Sequence, residues 1–292
     1  MEVKETKMTI RVGQVTAPNL TIEGANGVKY AYRRFGKADG TALPLIFFVH
    51  YRANLDNWDP ALVDAISEQR EVILMDNVGV GGSSGATPNT VQEMAHGAMV
   101  FVDALNIKRF DLFGFSLGGF VAQEYALMRP HQIRRMVLAG TGPQGGQNMH
   151  MYAPEVQVIA LADKIDVEGL LTIFFEKSAS SRTKGLEFVH RIQSRQVDRD
   201  VPVSIATRDA HLTAISTWGI PDPTKLTRLA AIKQPTLVAN GDNDLMVPTV
   251  NTHLLAQYIP NSTLSIYPDA GHAFLFQYPE QFAAQVNAFL GQ

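Results

Sequence analysis

The sequence predicts an α/β protein: a mostly parallel, twisted sheet with helices on both faces and an inserted helical lid. Three observations carry this. Short apolar runs alternate with amphipathic helical stretches along the first half of the chain, the rhythm of parallel β-α-β units. That rhythm stops between residues 142 and 234, where helical segments follow one another with little that reads as strand, over a span too long for a structureless loop. It then resumes to the C-terminus. Residues 1–141 and 235–292 are therefore expected to form one core domain, and residues 142–234 the lid.

Taken in order, the chain opens on "MEVKETKMTIRVGQ", a polar stretch without the apolar core of a secretory signal. "LTIEGANGVKYAYRRFG" reads as two strands joined at Asn26-Gly27, a strong hairpin signal. "PLIFFVH" (44–50) is apolar throughout, as expected of a strand buried on both faces. A helix over about 56–69 and a strand at "EVILMD" (71–76) follow. After the turn-rich "NVGVGGSSGATPN", Thr90 and Glu93 form a capping-box pattern that opens a helix with apolar positions Val91, Met94, Ala98, Phe101 and Leu105. A strand over 110–115, a helix over 117–128 and a strand over 136–140 come next. The lid is expected to hold helices near 154–164, 167–177, 182–195 and 202–218. A strand at "PTLVAN" (235–240), a helix over 249–258, a strand at "TLSIYPD" (263–269) and a helix over 279–290 complete the chain.

Composition narrows the function classes. The 292 residues are 46% hydrophobic and 18% charged, enough to bury a substantial core. The net charge of −3, from 25 basic and 28 acidic residues without long runs, gives no nucleic-acid footprint and no polybasic membrane patch. The absence of cysteine excludes disulfides, thiolate metal sites and a cysteine nucleophile, and fits a reducing compartment. No segment is long and apolar enough to span a bilayer, so a cytoplasmic location is expected. "NMHMY" (148–152) sets one imidazole between thioethers and lacks the ligands of a metal site. "DRD" (198–200) reads as a solvated surface turn. No metal, no cofactor and no nucleic-acid or membrane partner is expected; the partner is a small-molecule substrate, and a homo-oligomer stays open.

The chemistry is carried by "FDLFGFSLGGF" (110–120). Gly114 and Gly118 flank Ser116 in the spacing G-x-S-x-G, between a buried strand and a helix. Small neighbours let strand and helix approach closely and push the hydroxyl out above the sheet edge. The amide of Leu117, at the start of the helix, points where an oxyanion would develop. A serine hydroxyl needs a base. His272, in "YPDAGHAF" after the last expected strand, lies where open α/β sheets place their sites. The other histidines weighed, at 96, 131, 150, 190, 211 and 253, fall in or beside helices or in the lid, and read as surface or packing residues. An orienting carboxylate is offered by Asp242 or Asp244 in "NGDNDLMVP".

With these residues in order, the sequence from about residue 30 to 290 resembles the α/β-hydrolase superfamily. "VILMDNVGVGGSS" is similar to its D-x-R-G-x-G-x-S turn, with Val78 where arginine usually stands. "GDNDLMVP" matches G-x-x-D-x-x-V-P, and the resemblance assigns the acid to Asp244. "PDAGH" matches the pattern around the catalytic histidine. The branch resembled is that of lid-bearing esterases and cofactor-free haloperoxidase-like hydrolases. The resemblance implies the α/β-hydrolase fold and a Ser116–His272–Asp244 triad working through an acyl-enzyme. Similar dehalogenases and epoxide hydrolases carry an aspartate at the elbow, so Ser116 argues against both.

The departure is "HYRAN": Tyr51 stands where the family has glycine. Aligned on His50, the second oxyanion-hole amide is that of Arg52, with Tyr51 as the alternative. The Arg52 side chain is expected to brace the lid or meet solvent. Tyr51 and, from the lid, Phe174, Phe175 and Trp218 are candidate pocket residues. The expected activity is ester hydrolysis. The alternatives are perhydrolysis, lactone opening or carbon–carbon hydrolysis with the same triad, or a small-molecule receptor with a vestigial triad.

Overall fold

A computed structural model describes residues 12–292; the reading of a polar, leader-free start falls largely on residues 1–11, outside the described residues. The strands are β1 (Leu20–Glu23), β2 (Lys29–Gly36), β3 (Leu45–Phe48), β4 (Glu71–Met75), β5 (Phe110–Phe115), β6 (Ile133–Ala139), β7 (Thr236–Gly241) and β8 (Ser262–Tyr267). They form one sheet in the order β1-β2-β4-β3-β5-β6-β7-β8. The hairpin β1–β2 is antiparallel and lays β2 antiparallel against β4. The remaining neighbours are parallel, so those strands end on one edge.

The sheet is buried on both faces. Along β3, Leu45 and Phe47 enter one apolar cluster with Trp58 and Phe113, while Ile46 and Phe48 enter the other with Phe120 and Tyr125. Phe47 stacks on Phe113 at 4.7 Å and meets Trp58 edge-on at 5.1 Å. Burying each such ring contributes roughly 1.5–3 kcal/mol before the entropy of ordering it. Of the helices, α1 (Pro60–Ser67) covers the first face, and α2 (Val91–Ala104) and α3 (Leu117–Met128) the second.

Between β6 and β7 come α4 (Pro154–Leu161), α5 (Val167–Phe174), α6 (Ala179–Ile192) and α7 (Ile205–Trp218), then a 3-10 stretch, Pro223–Ala231, that periodicity did not suggest. The chain ends with α8 (Val250–Tyr258), α9 (Phe274–Gln277) and α10 (Pro279–Leu290); α10 packs with α1.

Several boundaries differ from expectation, each for a local reason. The helix expected over 56–69 is a 3-10 turn, Leu55–Asn57, followed by α1. The residue before a proline avoids the α region, so Asp59 stays extended and caps the helix, accepting from the Ala61 amide at 3.0 Å. Ser178 caps α6 earlier than expected, and Ser204 caps α7 later. The 198–200 turn is tied to the core rather than merely solvated. Asp198 accepts from the Asn19 amide (3.0 Å), Arg199 reaches Asp56 (3.3 Å) and Asp200 accepts from the Leu55 amide (3.1 Å).

Candidate active site

β5 passes into α3 through Ser116, whose φ of 55° is unusual for a residue with a side chain. Such a conformation costs on the order of 1–3 kcal/mol and persists only where its surroundings hold it. Here the Ser116 N–H donates to the Ala139 carbonyl (2.9 Å), and its own carbonyl accepts from Thr141 Oγ1 (2.8 Å). Contacts explain the flanking glycines. A Cβ on Gly114 would sit 2.6 Å from the Gly118 carbonyl oxygen, and one on Gly118 would collide with the carbonyl of Phe48. Strand, helix and neighbouring β3 meet at a separation that no side chain permits. Ser116 thus occupies a tight elbow at the C-terminal end of β5.

Asp244 follows β7 and His272 follows β8, so both reach the same sheet edge. His272 Nδ1 bonds Asp244 Oδ2 at 2.7 Å, with both side chains buried. Asp244 Oδ1 accepts from the amides of Met246 (2.8 Å) and Val247 (2.9 Å), which fixes the plane of the carboxylate. With Asp244 as acceptor, the network assigns the ring proton to Nδ1 and leaves the Nε2 lone pair available. Asp242 does something else: it accepts from the amides of Asp269 and Ala270, both at 3.1 Å, and pins the turn ahead of His272.

Ser116 and His272 line one cavity of about 220 Å³. Among the described residues no hydrogen bond joins Ser116 Oγ to the His272 ring; such bonds are often long before substrate tightens a site. His50 lies in the same wall, between the rings of Phe115 and Phe174, with Nδ1 3.0 Å from the Tyr51 carbonyl. Burial, and then the neighbouring His272, push His50 down to about 3, so it stays neutral.

Leu117 opens α3, and its amide is one of the helix's unpaired N-terminal donors. The Arg52 amide, expected as a second donor, has a partner that the sequence did not suggest. The Arg52 amide donates to Nδ1 of His211, from α7, at 3.3 Å. Burial pushes His211 down to about 4, so the ring is neutral and its lone pair is available to that N–H. The Arg52 guanidinium reaches the end of α4 and donates to the carbonyls of Ala160 (3.2 Å), Ala162 (2.6 Å) and Asp163 (2.7 Å). A cation there satisfies orphan carbonyls and opposes the helix dipole. Tyr51 Oη also donates to Ala160 O, at 2.8 Å, and burial raises the phenol to about 12. Where the family has glycine, this chain has built a brace for α4.

Two of the four expected pocket residues, Tyr51 and Phe174, line the cavity. Two do not. Phe175 packs on Phe188 (5.9 Å between centroids) beneath Gly185. Trp218 stacks on Phe120 at 5.2 Å, donates to the Gly142 carbonyl at 3.2 Å and borders a separate surface cleft. The rest of the lining is mainly apolar, with Ile165, Leu170, Ile173, Ile192 and Met246 unanticipated. Leu170, Ile173 and Phe174 share one face of α5 at i, i+3, i+4 spacing, a signal that could have found them. Nothing in the pattern marked His211.

A serine on a strand-to-helix elbow, with a buried His–Asp pair delivered from the next strand ends, defines a class, and comparison with known proteins agrees. Residues 44–279 match the family model described as the alpha/beta hydrolase fold. The chain belongs to that family and is a hydrolase. It is 31% identical over 254 residues to a poly(3-hydroxyalkanoate) depolymerase of Ectopseudomonas oleovorans, covering 85% of this chain and 84% of that one. The solved structure of an alpha/beta hydrolase fold protein from Chitinophaga pinensis is 42% identical, with a TM-score of 0.89 over 96% of this chain and 99% of the other. A solved N-acyl homoserine lactone degrading enzyme is 26% identical, with a TM-score of 0.73 over 92% of this chain and 100% of the other. Among the described residues no helix is long and apolar enough to cross a membrane.

Proposed function

We propose that this enzyme hydrolyses neutral carboxylic esters with an apolar acyl group, through an acyl-enzyme on Ser116, beneath a lid formed by residues 142–234. Ser116 Oγ attacks the ester carbonyl while His272 Nε2 takes its proton. Asp244 holds the ring in that tautomer and stabilises the imidazolium. The developing oxyanion is met by the amides of Leu117 and Arg52, the latter once released from His211. Collapse expels the alcohol, protonated by His272, and water repeats the sequence on the acyl group.

The observation that carries this reading is the 2.7 Å bond between His272 Nδ1 and Asp244, at the strand edge that also presents Ser116. The preference for a neutral acyl group rests on the lining. Ile165, Leu170, Ile173, Phe174, Ile192 and Met246 offer apolar surface, and the Arg52 guanidinium is committed to three carbonyls. Lactones, as cyclic esters, fall within the same chemistry, and the likeness to a lactone-degrading enzyme supports including them. The test is a panel of neutral and anionic esters and lactones, with a fluorophosphonate probe for the nucleophile. Ser116→Ala should fold and lose both labelling and turnover; labelling that persists in that variant overturns the assignment.

A further inference from the structure

Arg52 ties two lid helices to the reacting edge of the sheet. Its guanidinium holds the carbonyls at the end of α4, and its amide is held by His211 of α7. The two helices are also joined to each other: Arg208 on α7 donates to the Leu161 carbonyl (2.7 Å) and to Asp163 Oδ1 (3.2 Å). His211 is only 4% exposed, and its ring centroid lies 6.2 Å from that of Tyr51. Because a backbone N–H can only donate, Nδ1 is the acceptor and the neutral ring carries its proton on Nε2. Arg52 itself has a φ of 56°, so its amide is held in an uncommon backbone conformation.

We propose that His211 is a positioning residue that caps the Arg52 amide in the resting enzyme, and that the second oxyanion-hole donor is released only when α7 or the His211 ring gives way to bound substrate. The proposal rests on the reading of Ser116 as nucleophile and adds a control to it. A single N–H directed at an imidazole lone pair is not available to another strong acceptor. The cap also gives this part-buried amide a partner before substrate arrives. A neutral ester carbonyl competes poorly with the imidazole, whereas an oxyanion competes well, since charged acceptors bond about twice as strongly. The exchange of partners is therefore favoured late in the reaction, and the donor works in the transition state more than in the ground state.

The experiment compares the full-length wild-type protein with His211→Leu and His211→Asn. Each is assayed on one neutral ester, titrated with an alkylboronic acid that forms a tetrahedral adduct on Ser116, and checked by fluorophosphonate labelling. Leucine removes the acceptor, so it should raise kcat with KM little changed and tighten the boronate, each by a few-fold to about tenfold, the range of one hydrogen bond. Asparagine places an oxygen where Nδ1 stood and should move both readings back toward wild type. A merely structural role would instead lower kcat and stability together, with no rescue by asparagine. A leucine variant that still labels but binds boronate equally or more weakly overturns the proposal. If neither variant folds, the wild type decides: the ¹⁵N resonance of His211 Nδ1 should move as boronate saturates Ser116, and an unmoved resonance overturns the cap. Failure of the wild type to label at all is a different result; it removes the Ser116 reading and this proposal with it.

Discussion

Two buried aspartates sit at opposite edges of the same sheet. Asp111, near the start of β5, is wholly buried and meets Arg134 (3.0 and 2.7 Å) and Arg70 (3.3 Å). Asp244, beyond the end of β7, is nearly as buried and meets His272 (2.7 Å) and two backbone amides. Residue type and burial are alike; the partners differ. A guanidinium does not lose its proton in a protein, so Asp111 and its two arginines form a fixed charge cluster that organises structure. An imidazole instead has two ring nitrogens, one of which Asp244 engages at 2.7 Å. Burial of a carboxylate does not distinguish the two edges; the kind of group it faces does.

The comparison can be broken at either end. The largest effect expected is on turnover in Asp244→Asn, about 10⁴-fold if the geometry works as in other triads, with the melting temperature near wild type. Steady-state assay beside calorimetry reads both. Asp111→Ala should do the reverse. It leaves Arg70 and Arg134 without their carboxylate and should cost about 3–5 kcal/mol in urea unfolding, while the folded fraction keeps its kcat. A folded Asp111→Ala protein without turnover would erase the distinction.

Acid should expose a third kind of buried group. His50 and His211 are held at about 3 and about 4, whereas in the unfolded chain both titrate near ~6.5. Within that window the unfolded chain binds more protons, so stability falls as pH falls from about 6.5, and the His211 share stops falling below about 4. His211 alone would contribute roughly 3 kcal/mol of loss. Urea midpoints against pH, flatter in His211→Leu, check the sign. The smallest effect sharpens the contrast within one loop. Asp242→Asn weakens the hold on the Asp269 and Ala270 amides and should cost roughly 1 kcal/mol, with turnover within about tenfold of wild type. If it proves more damaging than Asp244→Asn, the roles of the two aspartates are exchanged.

Much of this was legible in the chain. Ser116, its glycines and the strand rhythm could be read because an elbow and a parallel sheet each impose a local pattern. Asp244 and His272 were reached through motif spacing, and the choice between Asp242 and Asp244 needed the family resemblance; the hydrogen bonds now give it a physical reason. Other differences have a local cause, such as Pro60 setting the start of α1. What no local rule carries is which side chain between β6 and β7 faces the cavity. Phe174 and Phe175 are adjacent and alike, yet only Phe174 lines the cavity, because α5 ends between them and Phe175 takes an extended conformation. Trp218 was drawn away by Phe120, a partner distant in sequence. His211 acts through a backbone amide, which leaves no trace in residue type.

The root of the insertion sets a limit on how such an enzyme can diverge. A long connection between adjacent parallel strands is thermodynamically mild, since each doubling of its length adds only about 0.6 kcal/mol of closure entropy. A replacement of different length between β6 and β7 is therefore expected to cost little in closure entropy. The seam, however, cannot lie at the end of β6. Ala139 and Thr141 grip both sides of the Ser116 peptide, and Gln123 holds the Gly142 carbonyl at 3.1 Å. A transplant joined before residue 141 would replace Thr141, one of the two partners that hold the Ser116 peptide in its strained pose. One joined just after residue 142 would keep all of these contacts around Ser116.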